Sequence, residues 1–279
     1  MPAIQSLKKQ LKGILSTKKL TKAMKTVSTV KFSKLNGVYS EYSHYGKAVE
    51  DILNSFGADF LSIAEANDSS APAAVIVIAS NKGLCGNFNA ELLNFALEEI
   101  EKIGSSYIIA CGKKAISFLK NKKIPVKKEY VFDDVPLYDD AASLLEELLK
   151  LRKSGEISRV YVVYSKYKNM MLQTPTLVDF FNVSSSENET AALFIPDKQT
   201  VMHKIVKNAF KAKFYELVLE SAIGAQAATL MTMRSAYDTA TEYAESLEKE
   251  INRVRQSAVT ADVITTSAER DEKGGNKNG

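Results

Sequence analysis

A chain of 279 residues with 45% apolar and 25% charged side chains has the balance of a soluble globular protein, which excludes wholesale disorder and collagen-like or mucin-like chains. No apolar run approaches the roughly 20 residues of a membrane span, the lysine-rich first segment does not read as a secretory signal, and Cys85 and Cys111 are too few for a disulfide framework and suit a reducing compartment. The net charge of +4 hides a division: nine lysines and no acid lie in residues 1 to 40, while the other 28 basic residues face 33 acidic ones, a balance of −5. Such an arm points to an acidic partner, which could be nucleic acid, an anionic membrane surface or an acidic protein segment.

From Ile4 to Phe56 no proline interrupts the chain. Leu35, Val38, Tyr42, Tyr45, Val49, Ile52 and Phe56 step by three and four, as Ile4, Leu7, Leu11 and Ile14 do earlier. The polar stretch Ser16 to Lys25 between them is expected to shift the register. One helix of about 50 residues would run some 75 to 80 Å and must project, because no compact domain is that wide. Asn67 to Pro72 reads as a linker.

Ala73 to Ala79 is a continuous apolar run, as expected of a strand buried on both faces of a parallel sheet. A helix from about Asn89 to Ile103 follows, then strand Tyr107 to Cys111, helix Lys113 to Lys120, strand Val126 to Phe132, helix Ala141 to Lys153 and strand Arg159 to Tyr164. This alternation argues for βαβ units. Asn169 to Phe181 lacks an intervening helix and is expected to supply an antiparallel edge strand, with Ser184 to Glu189 marking the exit.

From about Val201 to Ala261 the chain is again free of proline. Ala240, Ala244, Leu247, Ile251, Val254 and Ala258 give a second long helix of about 60 residues, roughly 90 Å. Its first half is rich in small residues, among them Gly224, which is expected to permit close approach of another backbone. Glu269 to Gly279 reads as a charged, disordered tail. The fold expected is therefore an α/β protein in which a Rossmann-like base domain (67–200) is flanked by long N-terminal (1–66) and C-terminal (201–268) helices paired as an antiparallel coiled coil, followed by a tail (269–279).

Chemistry is sparse. Gly83-Leu84-Cys85-Gly86 lies where a βα turn could hold phosphate, yet it lacks both Gly-x-Gly-x-x-Gly and the P-loop Gly-Lys-Ser/Thr, and a tight turn explains the glycines. Cys85 has no sequence-evident general base, since His44 and His203 fall on the long helices, and a structural thiol is the simpler reading. No cluster has metal-ligand spacing, and neither a cofactor nor a catalytic residue is expected. Aromatic residues do not interleave with the N-terminal lysines, so stacking platforms for nucleic acid are missing and an acidic protein is favoured.

Three segments carry a resemblance: Thr17-Lys18-Lys19-Leu20-Thr21-Lys22-Ala23-Met24-Lys25-Thr26-Val27, Asn81-Lys82-Gly83-Leu84-Cys85-Gly86-Asn87-Phe88-Asn89, and Asn252-Arg253-Val254-Arg255-Gln256-Ser257-Ala258-Val259-Thr260. Together they resemble the signatures of the γ subunit of F-type ATP synthases, over roughly residues 3 to 265. The resemblance implies a non-catalytic central-stalk rotor: a coiled coil inside a ring of alternating α and β subunits, with a base near ε and the c-ring. It places the chain as a peripheral protein at the cytoplasmic face of a bacterial plasma membrane, without a span of its own and without nucleic acid.

Position by position, Met24 with Lys25 matches the segment that faces an acidic lever loop on β, and Lys19 and Lys22 would complement the same acidic surface. Arg255 and Gln256 match the pair that engages a catch loop on β, with Thr260 one turn beyond. Asp262 is counted with these contacts, where the family commonly has glutamates. The alternative is a free-standing coiled-coil adaptor whose α/β domain binds a ligand; a nucleotide-binding enzyme ranks third.

Overall fold

The computed structural model of the chain describes residues 2–55, 71–104, 106–182 and 198–275, and the side chains of 4–49, 71–104, 106–182 and 204–266. The elements follow in the order α1 (Pro2–Ser55), β1 (Ala73–Ile78), α2 (Phe88–Ile103), β2 (Ser106–Cys111), α3 (Lys113–Asn121), β3 (Val126–Tyr130), α4 (Tyr138–Lys153), β4 (Val160–Tyr167), β5 (Gln173–Asp179) and α5 (Lys198–Gly275). The exit at 184–189 and most of the linker at 67–72 lie outside the described residues.

Topology explains the apolar run of β1. The sheet order is β3-β2-β1-β4-β5, so β1 is central, parallel to β2 and β4, while β5 pairs antiparallel with β4 at one edge. Ala74, Ile76 and Ile78 face a layer that contains parts of α1, α4 and α5, and Val75 and Val77 face α2 and α3. Two buried faces require apolar residues at every position of the strand. Edge strand β3 instead alternates half-buried Val126, Lys128 and Tyr130 with exposed Lys127 and Glu129.

Compactness divides the chain within the two long helices: residues Val27–Thr232 form one unit, and Met1–Thr26 with Met233–Gly279 form the other. In the first unit aromatic side chains fasten the helices to the sheet. Phe32 and Tyr39 lie 6.3 and 6.5 Å from the Tyr167 ring, Tyr42 meets Tyr215 edge-on at 4.8 Å, and Phe180 lies between Phe210 and Phe214 at 5.6 and 5.8 Å. A Cβ built at Gly224 would lie 3.3 Å from both Phe88 and Gln173. The close approach expected there is thus mainly to side chains, with the Ser165 carbonyl at 3.8 Å as the nearby backbone atom.

In the second unit the ends of α1 and α5 pack as a helix pair, with Lys18 and Lys25 both over the Tyr237 ring at 5.6 and 5.7 Å. The inward positions of α1 corrected the expected register shift. They run without a break from Ile4 through Leu7, Leu11, Ile14, Lys18, Thr21, Lys25, Ser28, Phe32, Leu35, Tyr39 and Tyr42 to Gly46 and Val49. The spacing is continuous and only its chemistry changes, because Lys18, Thr21, Lys25 and Ser28 occupy positions normally apolar. Thr21 meets its own need there by donating to the Thr17 and Lys18 carbonyls at 3.0 and 3.1 Å.

A second correction concerns the C-terminus. Helix α5 continues to Gly275, so the described part of the segment expected to be disordered is helical. Propagation from an established helix adds one hydrogen bond per residue fixed, and Ala, Glu, Arg and Lys favour it.

Candidate subunit-contact surface

The residues singled out in the sequence all fall in the helix-pair unit, on two helices and at two levels. On α1, Lys19 and Lys22 are exposed, whereas Met24 and Lys25 are half-buried. On α5, Arg255, Gln256, Thr260 and Asp262 are exposed. Tyr237 marks the level of Lys18 and Lys25, so Arg255, 18 residues further along α5, lies about 27 Å away along the axis. The structure brings Lys19, Lys22, Met24 and Lys25 together within two turns and keeps them apart from the Arg255 group.

Local chemistry limits what each residue can offer. The Thr260 hydroxyl donates to the Gln256 carbonyl at 3.0 Å, and Ser257 donates to the Arg253 carbonyl at 3.1 Å. Thr260 therefore presents a methyl group and an acceptor, with its proton already used. Arg255 keeps a planar fork of donors on the surface. Among the described side chains Ala258 is the last half-buried position of α5, and 259–266 are exposed throughout. Tyr237 escaped the sequence reading; its only signal was the seven-residue spacing of Lys18 and Lys25, which puts both ammoniums on one seam where a ring can accept them.

The other unit contains the place where an α/β sheet usually binds ligands, the crevice beyond the carboxyl ends of the strands where the order reverses. Here that crevice lies at the end of β1 and is filled by the chain itself. Val218, Ser221, Ala222 and Ala225 of α5 enter it, and the Ser221 hydroxyl donates to the Ile78 carbonyl at 3.2 Å. A cavity of about 50 Å³ remains, against roughly 300–1,000 Å³ in ligand sites.

The glycine turn beside it is pinned on one side and open on the other, where Cys85, Gly86 and Asn87 line a hollow of about 450 Å³ with Met170, Met171 and Met231. Gly86 adopts φ +58°, and a Cβ there would come within 3.1 Å of the Thr232 hydroxyl. Buried Cys85 accepts a hydrogen bond from the Asn89 amide at 3.0 Å. Around the rim, Asp134 accepts from Lys31 and from Lys82. Burial pushes the Asp134 carboxyl up, but the two lysines outweigh it and hold the group below its ordinary value. Buried Cys111 has its thiol pushed well up by desolvation. Among the described residues no group of three His, Cys, Asp or Glu could hold a metal ion.

A filled crevice and two long helices with charged outer faces describe a chain that works by contact. A family model described as ATP synthase matches residues 3–267. The chain belongs to the ATP synthase gamma family. It is similar to the ATP synthase gamma chain of Rubrobacter xylanophilus, 27% identical over 282 residues that cover 96% of this chain and 97% of that one. It is also similar to the gamma chain of Rhodopirellula baltica, 26% identical over 285 residues covering 95% and 96%.

In fold it resembles a rotor chain of the Euglena gracilis mitochondrial ATP synthase, with a TM-score of 0.65 at 16% identity over 92% of this chain and 99% of that chain. A central-stalk chain of the Tetrahymena thermophila mitochondrial enzyme gives 0.62 at 17% identity, over 78% and 99%. The chain is the non-catalytic central-stalk rotor subunit of an F-type ATP synthase. Among the described residues no helix is long and apolar enough to cross a membrane.

Proposed function

We propose that the helix-pair unit turns inside a ring of alternating α and β subunits and meets it at two levels. Lys19, Lys22 and Lys25, with Met24, face an acidic lever surface on β. Arg255 and Gln256 engage a second β loop about 27 Å further along, and Thr260 and Asp262 extend that contact by its acceptors. The base is held through ε and the c-ring at the cytoplasmic face of a bacterial plasma membrane, and the chain joins that membrane only through the complex.

The observation that carries this reading is the seam itself. A helix pair meant only to hold together would have apolar residues at positions 18, 21 and 25, where this one has Lys18, Thr21 and Lys25. Here the seam holds buried Thr21 and half-buried Lys18 and Lys25 in place of apolar side chains, and exposed charge faces outward. One asymmetric pair within three catalytic sites cannot contact all three alike, so each orientation favours a different set of site states. By reciprocity, nucleotide occupancy at the sites favours one orientation of the pair. Contacts that must form and break every turn have to be shallow, and exposed ion pairs of at most about 1 kcal/mol each are suited to that.

The test is Arg255→Ala combined with Gln256→Ala in the assembled complex. Steady-state ATPase should fall roughly 3- to 10-fold, the effect of about 1 kcal/mol in a barrier, with assembly intact. Normal ATPase with failed assembly would make the pair a docking element and reject the catch role. The adaptor reading predicts instead a defined oligomer of this chain alone and no effect on ATPase.

A further inference from the structure

At the far edge of the sheet from β5, three features coincide that the rotor contacts do not use. First, β3 is an edge strand: among the described residues no strand pairs with it beyond β2. Its outer backbone groups are a template for an added strand. Second, the last turn of α3 carries Lys120, the turn into β3 carries Lys122 and Lys123, and the strand carries Lys127, all exposed, while the one carboxylate on that strand, Glu129, pairs with Lys120 at 2.7 Å.

Third, one of these lysines sits where the backbone disfavours it. Helices α3 and α4 end with the same two bonds: Lys123 N–H to the Lys120 carbonyl and Ile124 N–H to Leu119, Gly155 N–H to the Arg152 carbonyl and Glu156 N–H to Leu151. The left-handed residue is Gly155 at φ +77° after α4. After α3 it is Lys123 at φ +59°. A side chain there carries a steric cost that glycine avoids; the two helix-end bonds are the same as those glycine makes after α4, and among the described residues the Lys123 side chain is exposed. A rule broken locally without a compensating gain in the fold marks a site selected for something else.

We propose that the outer edge of β3, with Lys120, Lys122, Lys123 and Lys127, docks an extended acidic segment of another subunit of the synthase. Main-chain hydrogen bonds to β3 would set its register, and carboxylates at alternate positions would meet the lysines. Edge lysines are also ordinary guards against edge-to-edge pairing, which accounts for Lys127. Lys122 and Lys123 precede the strand, and Lys122 is steadied over the Phe118 ring at 5.7 Å, so guarding does not account for them. The same charges repel a second copy of this edge and admit an acidic strand.

The purified synthase containing Lys123→Cys, labelled with benzophenone maleimide and photolysed, identifies the occupant by mass spectrometry of the adduct. An adduct within an acidic stretch of another subunit is expected; adducts only to lipid, to a second copy of this chain, or to none would overturn the proposal. Replacing Lys120, Lys122, Lys123 and Lys127 together by Gln should lower retention of that subunit several-fold at raised salt, with the circular dichroism of the chain unchanged. In the isolated chain Lys123→Gly should raise Tm by about 2–4 °C. Undiminished retention in the quadruple variant, or an unchanged Tm in Lys123→Gly, would overturn it.

Discussion

Residues Val27–Thr232 and the helix-pair unit use the same two helices for opposite ends. In the former, α5 buries Phe210, Phe214, Tyr215, Val218 and Ile223 in a continuous core with the sheet. In the latter, α5 buries a single line, Met233, Ala240, Ala244 and Leu247, and from residue 259 to 266 it buries nothing. Deep aromatic contacts fix a position; a thin seam with lysine and threonine in it leaves most of each helix exposed among the described residues. One helix can thus be core in one unit and largely exposed in the other, because the side chains at its inward positions change while their spacing does not.

The sharpest way to break this contrast is to delete core from each unit. Phe214→Ala removes a fully buried ring that meets Phe180 edge-on at 5.8 Å and should cost about 3–5 kcal/mol in urea denaturation. Leu7→Ala, at a half-buried position of the pair, should cost below about 1 kcal/mol, less than the 2–5 kcal/mol of a fully buried leucine. Equal losses would erase the distinction. Function should show the reverse ranking within the helix pair: truncation after Arg253 should abolish most coupled ATPase, while deletion of 269–279 should leave it nearly intact even though 269–275 are helical. A large loss from the short deletion would give the last turns a partner.

A smaller effect separates the units by pH. Burial raises the Glu220 carboxyl above its ordinary value of 4.5, with Glu216 adding to it, while the Tyr164 hydroxyl, Lys166 and the Tyr167 N–H oppose the rise. A carboxyl raised on folding is a penalty present above its folded pKa and absent below its unfolded one. Glu220→Gln should therefore raise the thermal midpoint at neutral pH, with the gain vanishing as pH falls through about 4.5. A gain that persists at low pH would mean the glutamate acts through shape and not charge.

Much of the fold was legible because it is written in local periodicity. The run Ala73 to Ala79 marked the central strand, and the absence of a helix between β4 and β5 marked an antiparallel edge. The continuous seam of α1 was hidden because its polar members, Lys18, Thr21, Lys25 and Ser28, are invisible to a search for apolar steps. The filling of the crevice was hidden for another reason: Ser221 meets Ile78 across 143 residues of chain, and small residues on a helix do not announce what they pack against. The candidate contact residues rest on resemblance in the first and third segments, since exposed Lys19, Lys22, Arg255 and Gln256 carry no internal signal that distinguishes them from any solvated face.

The central claim is that exposed charge on the helix-pair unit transmits force to the ring. Rotation of single assembled complexes, with the ring fixed and a bead on the base, measures it directly when Lys19, Lys22 and Lys25 are all replaced by Glu. The account predicts that ATP-driven rotation persists in three steps per turn with torque clearly reduced and the base domain folded. Torque indistinguishable from that of the unaltered complex would contradict it.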